Sequence, residues 1–327
     1  MTTDTTAPSY WLNWRFFLCA IWVLTSIVVS AIIIWKFEGS KKSKTAGRDN
    51  CRDKVGSLYK DEAWKTSLIV VHPAWLLAFR VIAFSTLLAL LIASVVLHGF
   101  GMFYFYTQWT FTLLTMYFGL ASVFSIYGCC QCCHEVGDGV DLVALDAKRG
   151  TYVAPALEEN AKLQNMSKNV NSHEETRVRK TAGTWGYAFQ IIYQVCAGAV
   201  TLTDCVFWFV LYPFLTSADY RLSFMDVSMH SINAVFLLGD VFLNGLRFPF
   251  FRIAYFILLT GIFVIFQWII HACVSMWWPY PFLDLSLPYA PIWYLGVGLL
   301  HLPCYSVFAM IVRMKHLCLS RLFPDAL

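Results

Sequence analysis

The sequence predicts an all-α, polytopic membrane helix bundle of seven transmembrane helices, with the N-terminus outside and the C-terminus cytoplasmic. Three observations carry this. Of the 327 residues, 58% are hydrophobic and only 13% charged, whereas a soluble domain carries about 25% charged residues. Seven apolar runs approach the ~20 residues that a bilayer core needs per helix. Finally, 21 of the 24 Lys and Arg residues fall in alternate loops, which the positive-inside rule assigns to the cytoplasm. The net charge of +4 is too small to point to nucleic acid, and no basic-aromatic recognition motif occurs.

The runs are Phe16–Trp35, Leu76–His98, Met102–Tyr127, Tyr187–Tyr212, His230–Leu246, Phe250–Cys273 and Pro291–Val312. Each is expected to be helical, because backbone polar groups in lipid must bond within their own segment. The first run lacks a basic leader and a cleavage pattern, so it reads as a retained span rather than a signal peptide. Tyr10, Trp11 and Trp14 precede it as an interfacial aromatic anchor. The chain thus divides into a short outer tail (1–15), an extra first helix (16–35), a cytoplasmic loop (36–75), a six-helix core (76–312) and a cytoplasmic tail (313–327).

Arg80 lies about a turn into the second run, where a long basic side chain is expected to snorkel to the interface. After the third run, within a cytoplasmic loop at 128–184, come Cys129, Cys130, Cys132, Cys133 and His134. Four cysteines beside a span suit reversible acylation. Unmodified thiols and a zinc site are the alternatives, the latter without a second Cys/His pair at finger spacing.

Two runs carry polar stripes. Gln190, Gln194, Thr201 and Asp204 fall within roughly 80° of the fourth helix, and His230, Asn233, Asp240 and Asn244 within roughly 80° of the fifth. Such faces turn toward the bundle interior, since a charge facing lipid costs about 3 kcal/mol. They serve either as interhelical glue, at about 0.6 kcal/mol per bond, or as a site. His230, His98 and His271 all stand at the outer edges of their runs, at the depth of Thr107. The loop from Met276 to Asp284 reads as a lid over that mouth or as an aromatic belt.

Tyr106-Thr107 opens one span, Val206-Phe207-Trp208 lies in another, and Ser228-Met229-His230-Ser231 opens a third. His271 is followed by Met276-Trp277 and Tyr280-Pro281-Phe282-Leu283. Together, in this order, these residues resemble the androgen-induced, androgen-dependent TFPI-regulating and rolling stone group of membrane proteins, and the plant members of it most. The resemblance covers about residues 76 to 312, with the first span as an addition. It implies hydrolysis of fatty acid esters of hydroxy fatty acids, with Thr107 as nucleophile and His230 as base; the polar stripes and outer histidines, not the resemblance, add Asp204, Asn233, Asp240, His98 and His271 as candidates for a supporting role. A hydroxyl is a weak nucleophile until a base takes its proton, and imidazole suits that task. No cofactor or metal is called for; membrane lipids and a fatty-ester substrate are the expected partners, in an endomembrane or the plasma membrane. The rolling stone branch implies instead a non-enzymatic role in adhesion, scaffolding or signalling. A transporter or metal-dependent enzyme built on Asp204, Asp240 and the outer histidines is the third reading.

Overall fold

A computed structural model of the chain describes residues 4–38, 59–68, 71–148, 182–216 and 221–322. Among them are seven helices long and apolar enough to cross a membrane: α1 (Trp14–Glu38), α2 (Pro73–His98), α3 (Tyr106–Cys133), α4 (Thr184–Leu215), α5 (Phe224–Leu243), α6 (Phe250–Cys273) and α7 (Ala290–Leu322). All seven apolar runs are therefore helices, and the chain is an integral multi-pass membrane protein.

The boundaries differ from the hydropathy pattern for local reasons. Gly99 ends α2 in a left-handed conformation, φ +67°, with its amide bonded to Val95 O at 2.8 Å, as glycine does at helix C-termini. A 3₁₀ turn over Phe100–Tyr104 follows, so α3 starts only at Tyr106. Helical structure then continues without a break to Lys148. The cysteine cluster thus stands on a helix extending from the span, not in a loop. Helix α5 begins six residues before His230, because Ser223 and Asp226 cap each other's backbone amides in a capping box.

Helix α4 is the centre of the bundle: half of its most apolar window is buried, against 11% for α1. On one side it packs with α2, α3 and α5 around Phe111, Tyr117, Phe118, Phe189 and Leu237. On the other it packs with α1, α6 and α7 around Phe256, Phe263, Tyr294 and Tyr305. At Gly198 of α4 an added Cβ would stand 2.5 Å from the Phe256 ring, so only glycine allows α4 and α6 to approach this closely there.

The first helix is docked at both ends. Glu38 pairs with fully buried Arg252 at 2.9 Å and also accepts from Tyr255. At the other end Arg15 donates to Ser286 O, and the Tyr10 hydroxyl donates to Asp284 at 2.9 Å while accepting from Trp278 at 3.0 Å. Tyr10 lies in the short segment before α1, and burial beside the Asp284 carboxylate raises its pKa.

Arg80 does not snorkel. It is 0% exposed, and its Nε sits 2.7 Å from Asp240 Oδ1. Its Nη1 donates to Ala63 O and Ser125 Oγ at 2.9 and 2.8 Å. Tyr117 and Asn244 also bond Asp240, and Lys315 of α7 donates to Val241 O and Asn244 O. The arginine points into the bundle because a carboxylate and several carbonyls await it there, a stronger pull than the short reach to the surface.

Candidate active site

Thr107 is the second residue of α3 and His230 the seventh of α5. These helices start at the same rim of the bundle, and the two residues line one small cavity of about 60 Å³. Leu202, Thr203, Val206 and Leu211 of α4 form one wall, Thr260, Phe263 and Val264 of α6 another, and Val297 of α7 closes the far side. Tyr280, Phe282 and Leu283 roof it. The loop read as a lid or a belt is therefore packed over this space, with all three of those residues buried.

His230 is 9% exposed and held from three directions. Its ring lies parallel to Phe207, centroids 3.8 Å apart and planes at 1°. Its carbonyl accepts from Trp208 Nε1 at 2.7 Å. Its Nδ1 is 3.6 Å from Asp204 Oδ1, an oxygen that Asn233 Nδ2 also contacts at 3.1 Å. At 3.6 Å the imidazole and the carboxylate face each other without a formed hydrogen bond. Both His230 Nδ1 and Asp204 Oδ2 are buried and lack a hydrogen-bond partner. Leaving such groups unpaired costs about 1–3 kcal/mol each. Catalytic hydrogen bonds are often long in the absence of substrate and tighten on binding.

The backbone beside His230 and Asp204 is irregular. Both helices leave α geometry here: Phe207–Leu215 and Ser228–Ile232 are π-helical. Each π turn widens its helix and rotates the residues beyond it, and π stretches concentrate at functional sites. Pro213, which has no amide to donate, lies in the first of them.

Tyr280 meets Thr107 directly. Burial raises the pKa of this phenol, while the nearby polar groups of Tyr106 and Thr107 act the other way. The phenol is therefore a neutral O–H donor at physiological pH. Its oxygen sits over the first turn of α3, where helix amides have no intrahelical acceptor.

The other sequence candidates divide. Asn233 joins Asp204 and His230. Asp240 does not; it belongs to the Arg80 cluster at the opposite rim. Ten residues separate it from His230, about 15 Å along a helix, so one stripe serves two depths. His98 is exposed at the end of α2, near only its own Ser94 carbonyl at 3.3 Å, and is not among the cavity residues. His271 is fully buried behind the roof, 2.9 Å from the Tyr104 hydroxyl and stacked on Trp278 at 3.6 Å. Gln190 and Gln194 hold the Arg247 carbonyl at 3.2 and 3.1 Å, an interhelical glue. Cys130 and Cys133 are exposed and Cys129 and Cys132 half-buried. Among the described residues no group of three or more His, Cys, Asp or Glu is placed to hold a metal ion. Phe207 and Tyr280 entered the sequence reading only within the motifs that carry the resemblance, and no role at the site was assigned to them, because aromatic identity in an aromatic-rich chain carries no signal of its own.

No protein-family model matches the chain, and neither a curated protein nor a solved structure matches it.

Proposed function

We propose that this multi-pass membrane protein is an intramembrane lipid esterase of the threonine type, acting on fatty acid esters, as its resemblance to the androgen-induced group implies. The observation that carries the reading is the shared cavity of Thr107 and His230 with the Asp204 carboxylate 3.6 Å behind the imidazole. Nucleophile, base and orienting acid on three separate helices is the arrangement that acyl transfer recruits on unrelated folds.

His230 Nε2 takes the Thr107 proton as Oγ1 adds to the ester carbonyl carbon. Asp204 stabilises the imidazolium from the Nδ1 side. The tetrahedral oxyanion is met by the Tyr280 O–H, a donor held at the roof of the cavity. Collapse breaks the C–O bond, and the imidazolium returns its proton to the departing alkoxide, leaving an acyl-threonine. Water, deprotonated by His230, adds to this ester, and release of the fatty acid restores the Thr107 hydroxyl. The apolar walls keep the reacting groups in a low-dielectric space, where each of these charge interactions gains strength.

The test is hydrolysis of a long-chain fatty ester by the purified protein in nanodiscs. The parent turns it over, and Asp204→Asn lowers kcat about 10²-fold by leaving the imidazolium uncompensated; equal rates in the two would contradict the assignment.

The cavity rim is assigned to the non-cytoplasmic side by the placement of Lys and Arg, with Cys129, Cys130, Cys132 and Cys133 at the cytoplasmic end of α3, where acylating enzymes act on such thiols. An epitope at the C-terminus is then accessible to protease added to the cytosolic face of sealed vesicles. Protection of that epitope would reverse the orientation.

A further inference from the structure

Beside the reactive cavity lies a second, larger space of about 350 Å³ between α1, α6 and α7. The two adjoin: Thr260, Val264, Phe282, Leu283 and Val297 line both. The larger one reaches out along α1 and α7 to residues on the lipid-facing surface, with Trp22 42%, Val29 48% and Leu299 55% exposed. We propose that this groove binds the hydrocarbon chain of an uncharged fatty ester, entering from the bilayer between α1 and α7 and presenting its carbonyl to Thr107.

Three features select this occupant. An apolar space between spans forfeits dispersion contacts unless something fills it, and in a bilayer the available filler is hydrocarbon. The lining follows α1 from Trp22 to Ile33, a rise of about 16 Å at 1.5 Å per residue, which suits a long chain. Neither lining contains an Arg, Lys, Asp or Glu among the described residues, so a phosphate or other charged headgroup drawn in would lose its hydration without gaining a partner. A neutral ester carries no such penalty.

The polar side chains at the boundary between the two spaces are all paired. His301 Nδ1 lies 2.8 Å from Val297 O and must donate to it. In the neutral ring Nε2 is then an acceptor, 2.8 Å from Thr260 Oγ1, which gives it its proton. Thr260 Oγ1 in turn accepts from the Tyr106 hydroxyl at 2.8 Å. These three side chains are thus satisfied within the protein, and hydrocarbon passing them strands none. The same relay ties Tyr106, the residue before Thr107, to α6 and α7. The first helix, which the sequence marks as an addition to the core, gains a role as the outer wall of the groove.

This proposal names the substrate class of the esterase site and takes its direction from that reading, but binding is measurable without turnover. The probe is a long-chain alkyl ester of a fatty acid carrying a mid-chain diazirine, photolysed with the full chain in phosphatidylcholine nanodiscs. Thr107→Ala protein keeps the ester intact. Adducts are expected on α1 and α7 at Trp22, Ser26, Val29 and Leu299, displaced by unlabelled fatty ester despite the excess of phospholipid. Gly298 lines the groove, and a Cβ there meets nothing within 4 Å, so the side chain of Gly298→Phe starts from open space and is placed to occupy the groove. It is expected to cut groove labelling by about tenfold or more, the equivalent of about 1.4 kcal/mol of binding. Labelling spread evenly onto lipid-facing residues of α2 such as Ile82 and Val96, or unchanged by Gly298→Phe, overturns the proposal. The two readings fail separately: saturable groove labelling without any hydrolysis by the parent removes the esterase and keeps the groove. Hydrolysis unaffected by Gly298→Phe keeps the esterase and removes the groove.

Discussion

Replacing Thr107 with Ala is expected to lower kcat for fatty-ester hydrolysis about 10⁴-fold or more, the scale on which loss of one member disables a nucleophile–base–acid unit. His230→Ala is expected to fall as far, and the double variant no further, because the residues act in one proton transfer. KM should change little, since the apolar walls of Leu202, Val206, Phe263 and Val264 stay in place and supply the same binding to ground and transition states. Thr107→Ser, which keeps the hydroxyl, should retain measurable turnover. Steady-state kinetics with protein in nanodiscs reads all four. Additive losses in the double variant would mean that the two residues act independently.

Arg80→Met is expected to be the most destabilising single change outside the site. Arg80 and Asp240 are both 0% exposed and 2.7 Å apart. Removing the guanidinium strands a buried carboxylate, and breaking such a pair from one side costs about 3–5 kcal/mol. Replacing both partners, as in Arg80→Met with Asp240→Leu, removes the stranded charge together with its mate and should recover most of the loss. Thermal unfolding in detergent, followed by tryptophan fluorescence, measures the parent and the two variants. A double variant no more stable than Arg80→Met would show that the pair itself, and not the stranded charge, holds the helices together. The same result would follow if Tyr117, Asn244 and Ser125 depended on the ions for their own placement.

The seven helices were legible because a bilayer imposes length and apolarity on every span, and no packing detail is needed to read them. Their ends were less so. The start of α5 depends on Ser223 and Asp226, a short-range capping pair that hydropathy does not register, and the start of α3 on the left-handed Gly99. The site was half legible. Thr107 and His230 came from order and spacing along the chain together with the family resemblance. A wheel drawn at 3.6 residues per turn already turned the stripes holding Asp204 and His230 toward the bundle interior, and their approach to 3.6 Å came with the structure. That wheel did place Asp240 and Asn244 on the same face as His230. A projection down the axis discards depth, however, and about 15 Å of rise sets Asp240 against Arg80 instead. Arg80 itself misled for a similar reason: distance from the helix end suggested an interfacial side chain, while the carboxylate that draws it inward lies 160 residues away in sequence. Tyr280 was hidden among the loop's other rings, and only its contact with Thr107 sets it apart.

The most direct measurement is covalent labelling of the purified protein with a fluorophosphonate, which reacts with a hydroxyl only where a neighbouring base activates it. Peptide mapping of the adduct is expected to place it on Thr107 in the parent, with none in His230→Ala. An adduct on another residue, or labelling of Thr107→Ala equal to that of the parent, would contradict the account.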